Sequence, residues 1–274
     1  MIILTGGAGM IGSMIAWHLN TILNENKFII FDELINQEQE KNIDKRKFVD
    51  LLNKNELPKY LKNNNKITAV IHMGAISATT ESNFNKLLIS NIRYSQMLWS
   101  WCSENKVPFI YASSAATYGG GENGYDDNET SLSKLTPLNA YGYSKHFFDQ
   151  WALSQIKFNE PSPPQWCGLK FFNVYGPNEY HKNRMASVVF HAFEQFQKKK
   201  EIRLFKSANK KYKDGMQLRD FIYVKDAVEF VIYFLKNNHI SGLFNSGTGS
   251  AQSFNDLANA VLQNTKGDKS NIKY

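Results

Sequence analysis

The sequence predicts an α/β fold: a doubly wound parallel sheet with a smaller, interleaved C-terminal lobe. Three observations predict it. Short apolar runs alternate with helical patterns through the first 177 residues, the rhythm of strand–helix units that build parallel sheets. A glycine-rich turn follows directly on the first run. Several runs end in small or hydroxyl-bearing residues, as expected where a sheet edge meets a ligand.

A chain of 274 residues, 42% of them hydrophobic, can bury one large core or two modest ones. No apolar run approaches the roughly 18 residues of a membrane span. No basic segment precedes the apolar N-terminus, so no secretion signal is read there. Cys102 and Cys167 match neither a disulfide framework nor a metal motif. A cytoplasmic protein with no membrane partner and no metal is expected. The net charge of +7 reads either as a solvated lysine surface or as attraction to an anionic partner. Its clusters, Lys198-Lys199-Lys200 and Lys210-Lys211-Tyr212-Lys213, come with no nucleic-acid motif. No nucleic-acid partner is expected.

Residues 1–5 form the first buried strand. Gly6, Gly9 and Gly12 follow at G-x-x-G-x-x-G spacing, and an amphipathic helix runs on through Ile15, Ala16 and Leu19. Strand, glycine turn and helix are the context of a dinucleotide-binding, Rossmann-type fingerprint. Glycines admit a pyrophosphate close to the backbone, and the helix N-terminus offers unpaired N–H groups. The second strand, 28–31, ends in Asp32, where an adenosine ribose is met. Asp32 favours NAD, whereas Lys41, Lys45, Arg46 and Lys47 behind it can receive a 2′-phosphate. The residues alone leave NAD and NADP open.

A third strand, 67–73, runs into Gly74-Ala75-Ile76-Ser77, with His72 read as a satisfied core histidine. Residues 82–104 are expected to be one long helix carrying Asn91. A fourth strand, 107–112, delivers Ser113 and Ser114 to the same edge, where a hydroxyl can bond a reacting oxygen. In the helix that follows, Tyr141 and Lys145 stand four apart and share a face. An ammonium beside a phenol favours the phenolate, which predicts a lowered Tyr141 pKa and a general acid/base. A strand over 166–172 leads to Asn173 and Val174.

Beyond residue 177 the rhythm changes. A polar loop at 178–184 precedes a helix over 185–200 and a short strand at 202–205. A lysine-rich loop at 206–218 follows, then a helix opened by residues 219–226, a strand near 243 and a last helix at 253–265. The division predicted is a dinucleotide-binding domain at 1–172 and a mainly substrate-binding lobe at 173–274, with segments near 219–246 returning to the sheet.

T-G-G-A-G-M-I-G from Thr5, S-S-A-A-T-Y-G from Ser113, Y-G-Y-S-K from Tyr141, R-D-F-I-Y-V-x-D from Arg219 and F-N-x-G-T-G from Phe244 together span almost the whole chain. On them the chain resembles the extended short-chain dehydrogenase/reductase family. Y-A-S-S-A-A-T-Y-G-G, F-N-V-Y-G-P and H-K-x-x-M-A-S-V are most similar to its ADP-heptose 6-epimerase branch. That resemblance implies an isomerase inverting C6″ of an ADP-heptose for lipopolysaccharide core synthesis, using NADP, in a homo-oligomer for which it suggests a pentamer. It implies that Met10, Ile11, Asp32, Glu33, Met73, Gly74, Ala75, Ile76, Ser77, Asn91 and Lys145 line the cofactor. It implies that Ser114, Asn173, Val174, Arg184, His191, Phe205, Lys206, Ser207, Ala208 and Arg219 hold the sugar nucleotide. Tyr141 and Lys182 are implied as the two acid/base residues, with Lys145 and Ser114 assisting. Glu33 stands where the branch has asparagine, and Arg184 where it has serine. The resemblance also implies a second lobe that continues past Tyr274. The rival readings are a UDP-hexose 4-epimerase of the same family and a non-catalytic dinucleotide- or RNA-binding relative. A 4,6-dehydratase is disfavoured, because Ser114-Ala115-Ala116 stands where that branch has Thr-Asp-Glu.

Overall fold

Parallel strands bury both faces, so they need helices above and below. A computed structural model describing residues 1–64, 66–208 and 212–274 arranges the chain this way. The elements are β1 (Ile2–Thr5), α1 (Met10–Thr21), β2 (Phe28–Asp32), α2 (Gln37–Ile43), β3 (Asp50–Asn53), α3 (Leu57–Asn63) and β4 (Ala69–His72). Then come α4 (Phe84–Leu87), α5 (Tyr94–Glu104), β5 (Phe109–Ser114), α6 (Ala140–Lys157), β6 (Trp166–Phe171) and β7 (Asn173–Tyr175). The last third holds α7 (Val188–Lys199), β8 (Ile202–Arg203), β9 (Leu218–Arg219), β10 (Phe221–Tyr223), α8 (Val224–Lys236), β11 (Gly242–Ser246), β12 (Gln252–Ser253), α9 (Phe254–Thr265) and β13 (Ile272–Lys273). Lys210 and Lys211 of the second basic cluster lie outside the described residues.

The main sheet runs β11-β6-β5-β4-β1-β2-β3, and its registered pairs are all parallel. Strand order reverses between β1 and β4, which opens a crevice at their carboxyl ends. One face is covered by α1 and α8 through Met14, Ile15, Val228 and Val231, the other by α5 and α6 through Leu98, Trp99, Phe148 and Ala152. A third cluster joins α7, β8 and α9 through Ala192, Phe196, Ile202, Leu257 and Leu262. Among the described residues, no helix is long and apolar enough to cross a membrane.

The structure departs from the sequence reading at four places. The sheet has an edge strand, β3, that the apolar rhythm does not announce. Its residues Asp50 and Asn53 are exposed, so the apolar signal is weak. The expected helix over 82–104 contains a wide π-helical turn at Leu88–Arg93, and Asn91 sits in it. Residues 219–223 do not open a helix. Arg219 pairs antiparallel with Gln252, residues 221–223 pair parallel with β7, and α8 begins at Val224. The β-branched and aromatic run Phe221-Ile222-Tyr223 favours the strand. Similarly, α7 starts at Val188, where the Ser187 side chain accepts the Phe190 N–H.

Candidate active site

The glycine turn is a cradle that side chains would fill. A Cβ on Gly6, which has φ +68°, would lie 2.5 Å from the Gly74 nitrogen, and one on Gly12 would lie 2.1 Å from the Gly6 carbonyl oxygen. Gly9 is the N-cap of α1 and supplies no side-chain cap, which leaves the helix N-terminus free to meet an anion. Asp32 accepts from the Ala8 N–H and the Glu33 N–H, each at 2.8 Å. Burial raises its pKa against those bonds. Glu33 is held by the Lys54 ammonium, a cation that sequence reasoning missed. Of the basic residues noted behind Asp32, Lys41 pairs with Glu38, and Arg46 is partly buried, its Nε without a hydrogen-bond partner among the described residues. These groups fit a dinucleotide, with a phosphate over the glycine turn and a ribose at Asp32.

At the end of β4, the Gly74 N–H bonds Thr5 Oγ1 at 3.1 Å. Asn91 holds Ile76 from both sides, accepting its N–H at 2.9 Å and donating to its carbonyl at 3.0 Å. A second Asn91 bond reaches Ser144 Oγ at 2.9 Å, so the wide turn ties the strand end to α6. His72 is a satisfied core histidine, bonded to Thr5 Oγ1 at 2.6 Å and Ser95 Oγ at 2.9 Å.

A cavity of about 240 Å³ opens at this edge. Ile11, Met73, Ala75 and Ser77 line it together with Ser114, Tyr141, Lys145, Val174 and Lys182. The Tyr141 phenol is hydrogen-bonded to the Ser114 side chain, and burial raises its pKa while that bond lowers it. The lowered phenol expected from sequence is therefore not what the structure shows. The reason is geometric. Lys145 Nζ donates to the Ala112 carbonyl at 2.7 Å instead of to the phenol, and burial lowers its own pKa to about 8. Tyr143, two residues away, points outward.

Lys182 reaches the cavity from the loop between β7 and α7. Its ammonium donates to Met10 Sδ at 3.2 Å, beside the glycine turn. Burial lowers its pKa, and Glu179 opposes the shift. The remaining candidates lie outside the residues lining this cavity. Arg184 is exposed, and its carbonyl lies 3.4 Å from His191 Nε2. Phe205 is 80% exposed, Lys206 and Ala208 are exposed, and the Ser207 N–H bonds Asp214 at 2.7 Å. Asn173 donates to the Asp220 carbonyl at 3.0 Å. Arg219 does not pair with Asp220. It bonds the Leu218 carbonyl and lies 6.0 Å over the Phe254 ring, while Asp220 accepts from Thr248 and Gly249. A larger cleft of about 690 Å³ between α7 and α9, lined by Phe190, Phe193 and Leu257, holds no tyrosine–lysine pair.

The model of the NAD dependent epimerase/dehydratase family matches residues 2–247. The chain belongs to that family. It is 50% identical to the ADP-L-glycero-D-manno-heptose-6-epimerase of Fusobacterium nucleatum over 268 residues, 96% of this chain and 79% of that protein. It is 46% identical to the protein of the same name from Nitratidesulfovibrio vulgaris, over 96% of this chain and 80% of that one. The crystal structure of the Helicobacter pylori ADP-L-glycero-D-manno-heptose-6-epimerase aligns with a TM-score of 0.84 at 28% identity, covering 100% of this chain and 84% of that one. A family named for its NAD dependence and a cradle shaped for a dinucleotide agree on a nicotinamide cofactor.

Sequence reasoning missed Lys54, Glu179 and a buried ion pair behind the site, Lys170 Nζ to Asp149 Oδ2 at 3.1 Å. Lys170 had a legible signal, since a lysine within an apolar parallel strand must find a buried partner. Lys54 and Glu179 had none, because their partners are set by folding.

Proposed function

We propose that this epimerase inverts C6″ of an ADP-heptose, interconverting the D-glycero and L-glycero forms. Residues 1–172 hold the cofactor in this reading, and residues 173–274 mainly hold the sugar nucleotide. The observation that carries it is the convergence of Tyr141, on α6, and Lys182, in the loop between β7 and α7, on one cavity. C6″ bears no acidic proton, so inversion needs transient oxidation. When bound, the nicotinamide supplies reversible hydride transfer at that carbon. The chain supplies proton handling on two sides. Tyr141, bonded to Ser114, takes or returns the hydroxyl proton in one orientation, and Lys182 does so in the other. Ser114 donates to the oxygen as it becomes a carbonyl. Lys145, which lines the same cavity, would hold the nicotinamide ribose and, as an ammonium, favour the phenolate of Tyr141.

NADP is the cofactor proposed. The Glu33 carboxylate is engaged by Lys54, so it is not a bare repulsive charge beside Asp32, and Lys54 is the cation that would answer a 2′-phosphate. The proposed setting is the cytoplasm, and the working form a homo-oligomer. The test assays Lys182→Ala and Tyr141→Phe for 6-epimerisation of ADP-heptose, beside a UDP-hexose panel. Loss of turnover in both variants is expected. Near-wild-type turnover of Lys182→Ala refutes the two-base scheme, and preference for a UDP-hexose refutes the substrate. The nucleotide released on denaturation identifies the cofactor.

A further inference from the structure

Glu179 is 1% exposed and, among the described residues, forms no ion pair. Its carboxylate instead takes three neutral donors. Oε1 accepts the Gly176 N–H at 3.0 Å and the Ser187 hydroxyl at 2.8 Å, and Oε2 accepts the Ser187 N–H at 2.5 Å. Gly176 begins the loop that carries Lys182, and Ser187 ends it by capping α7. One side chain thus closes both ends of that loop. Its carbonyl also accepts the Lys182 N–H at 2.9 Å.

A neutral clasp would be cheaper, because a buried charge is costly unless compensated. Two features explain a carboxylate. Glutamine in the same pose would present an N–H₂ to one of these donors and lose that bond. The negative charge also stabilises the Lys182 ammonium against burial. The loop needs a firm hold. Asn183, next to Lys182, sits at φ 49°, ψ −121°, a region that persists only when its surroundings over-determine it. Outside contacts complete the frame: Asn178 donates to Ser13 Oγ at 2.9 Å, and Asn42, itself bonded to the Ala8 carbonyl, lies 3.3 Å from His181 Nδ1.

We infer that Glu179 is a positioning residue that latches the 176–187 loop and holds Lys182 at the reacting carbon. The inference rests on the two-base reading above. It predicts that unlatching damages one proton-transfer side only, because Tyr141 stands on α6 and is untouched.

The test uses Glu179→Gln, with Glu179→Ala as a harsher variant. Lys182 is followed by competitive acylation across pH with mass-spectrometric readout of its peptide. Oxidation of each C6″ epimer is measured in single turnovers. In Glu179→Gln the labelling midpoint of Lys182 is expected to move to lower pH, and the Lys182-dependent epimer to slow at least about tenfold relative to the other, the scale set by ångström-level misplacement. An unmoved midpoint, or equal slowing of both epimers, overturns the latch. If Lys182→Ala keeps its turnover, the two-base reading fails and the latch with it. If Lys182→Ala is inactive while Glu179→Gln moves neither readout, the latch alone fails.

Discussion

Replacing Lys170 by methionine should reveal how much of the active-site frame hangs on one buried ion pair. Lys170 Nζ lies 3.1 Å from Asp149 Oδ2, with the two side chains 1% and 0% exposed. It also donates to Thr117 Oγ1 at 2.8 Å and sits 5.0 Å over the Tyr118 ring. Methionine fills the space but strands Asp149. Breaking a buried pair by removing one partner costs about 3–5 kcal/mol. Here the Tyr111 and Ser113 hydroxyls still donate to Asp149, at 3.0 and 2.6 Å, which places the expected loss near the lower end, about 3 kcal/mol. At about 2–4 °C per kcal/mol, the melting midpoint should fall by roughly 6–12 °C. Urea unfolding of the cofactor-free protein, followed by circular dichroism, checks this. A double variant with Asp149→Asn should recover part of the loss, because it removes the stranded charge. Activity should fall with stability, since Asp149 lies one helical turn beyond Lys145 and its partner Ser113 adjoins Ser114. A loss below about 1 kcal/mol, or a double variant that sums the single losses, refutes the reasoning.

Gly12→Ala sets a Cβ 2.1 Å from the Gly6 carbonyl, against 3.3 Å for Gly9→Ala. Fluorescence titration should show nicotinamide-dinucleotide affinity falling at least about tenfold for the first and less for the second. His72 is buried and its pKa lowered to about 3 from 6.5. The unfolded chain therefore binds the extra proton between those values, and stability is lost as pH falls through that window, by up to roughly 1.4 kcal/mol per unit. His72→Gln should flatten this acid limb in pH-dependent melts. Lys145 is lowered from 10.5 to about 8, so the unfolded state again holds more protons, and stability rises from pH 8 toward 10.5. Lys145→Met should abolish that rise, and wild-type kcat should decline above about pH 8 as the ammonium is lost. A rate that climbs through pH 9 contradicts the need for that charge.

Much of this protein is written locally. Apolar runs of strand length, glycines that only a tight turn needs, and a tyrosine and lysine one helical turn apart are all short-range signals, and they determined the sheet, the cofactor cradle and the placing of Tyr141 and Lys145 on one cavity. What the sequence left undecided is long-range. The edge strand β3 carries too little apolar signal to be seen before β2 pairs with it. The Tyr141 phenol is governed by burial and by which carbonyl Lys145 meets, so proximity along a helix misjudged its acidity. Glu33 reads as a bare second carboxylate until folding brings Lys54 to it. Lys182 is an ordinary loop lysine until its ammonium lies on Met10, 172 positions away in the chain. Glu179 becomes a latch only when Gly176 and Ser187 close on it. Sequence determined which groups could do chemistry; tertiary structure decided which of them meet, because burial and partners across the crevice set their charge and aim.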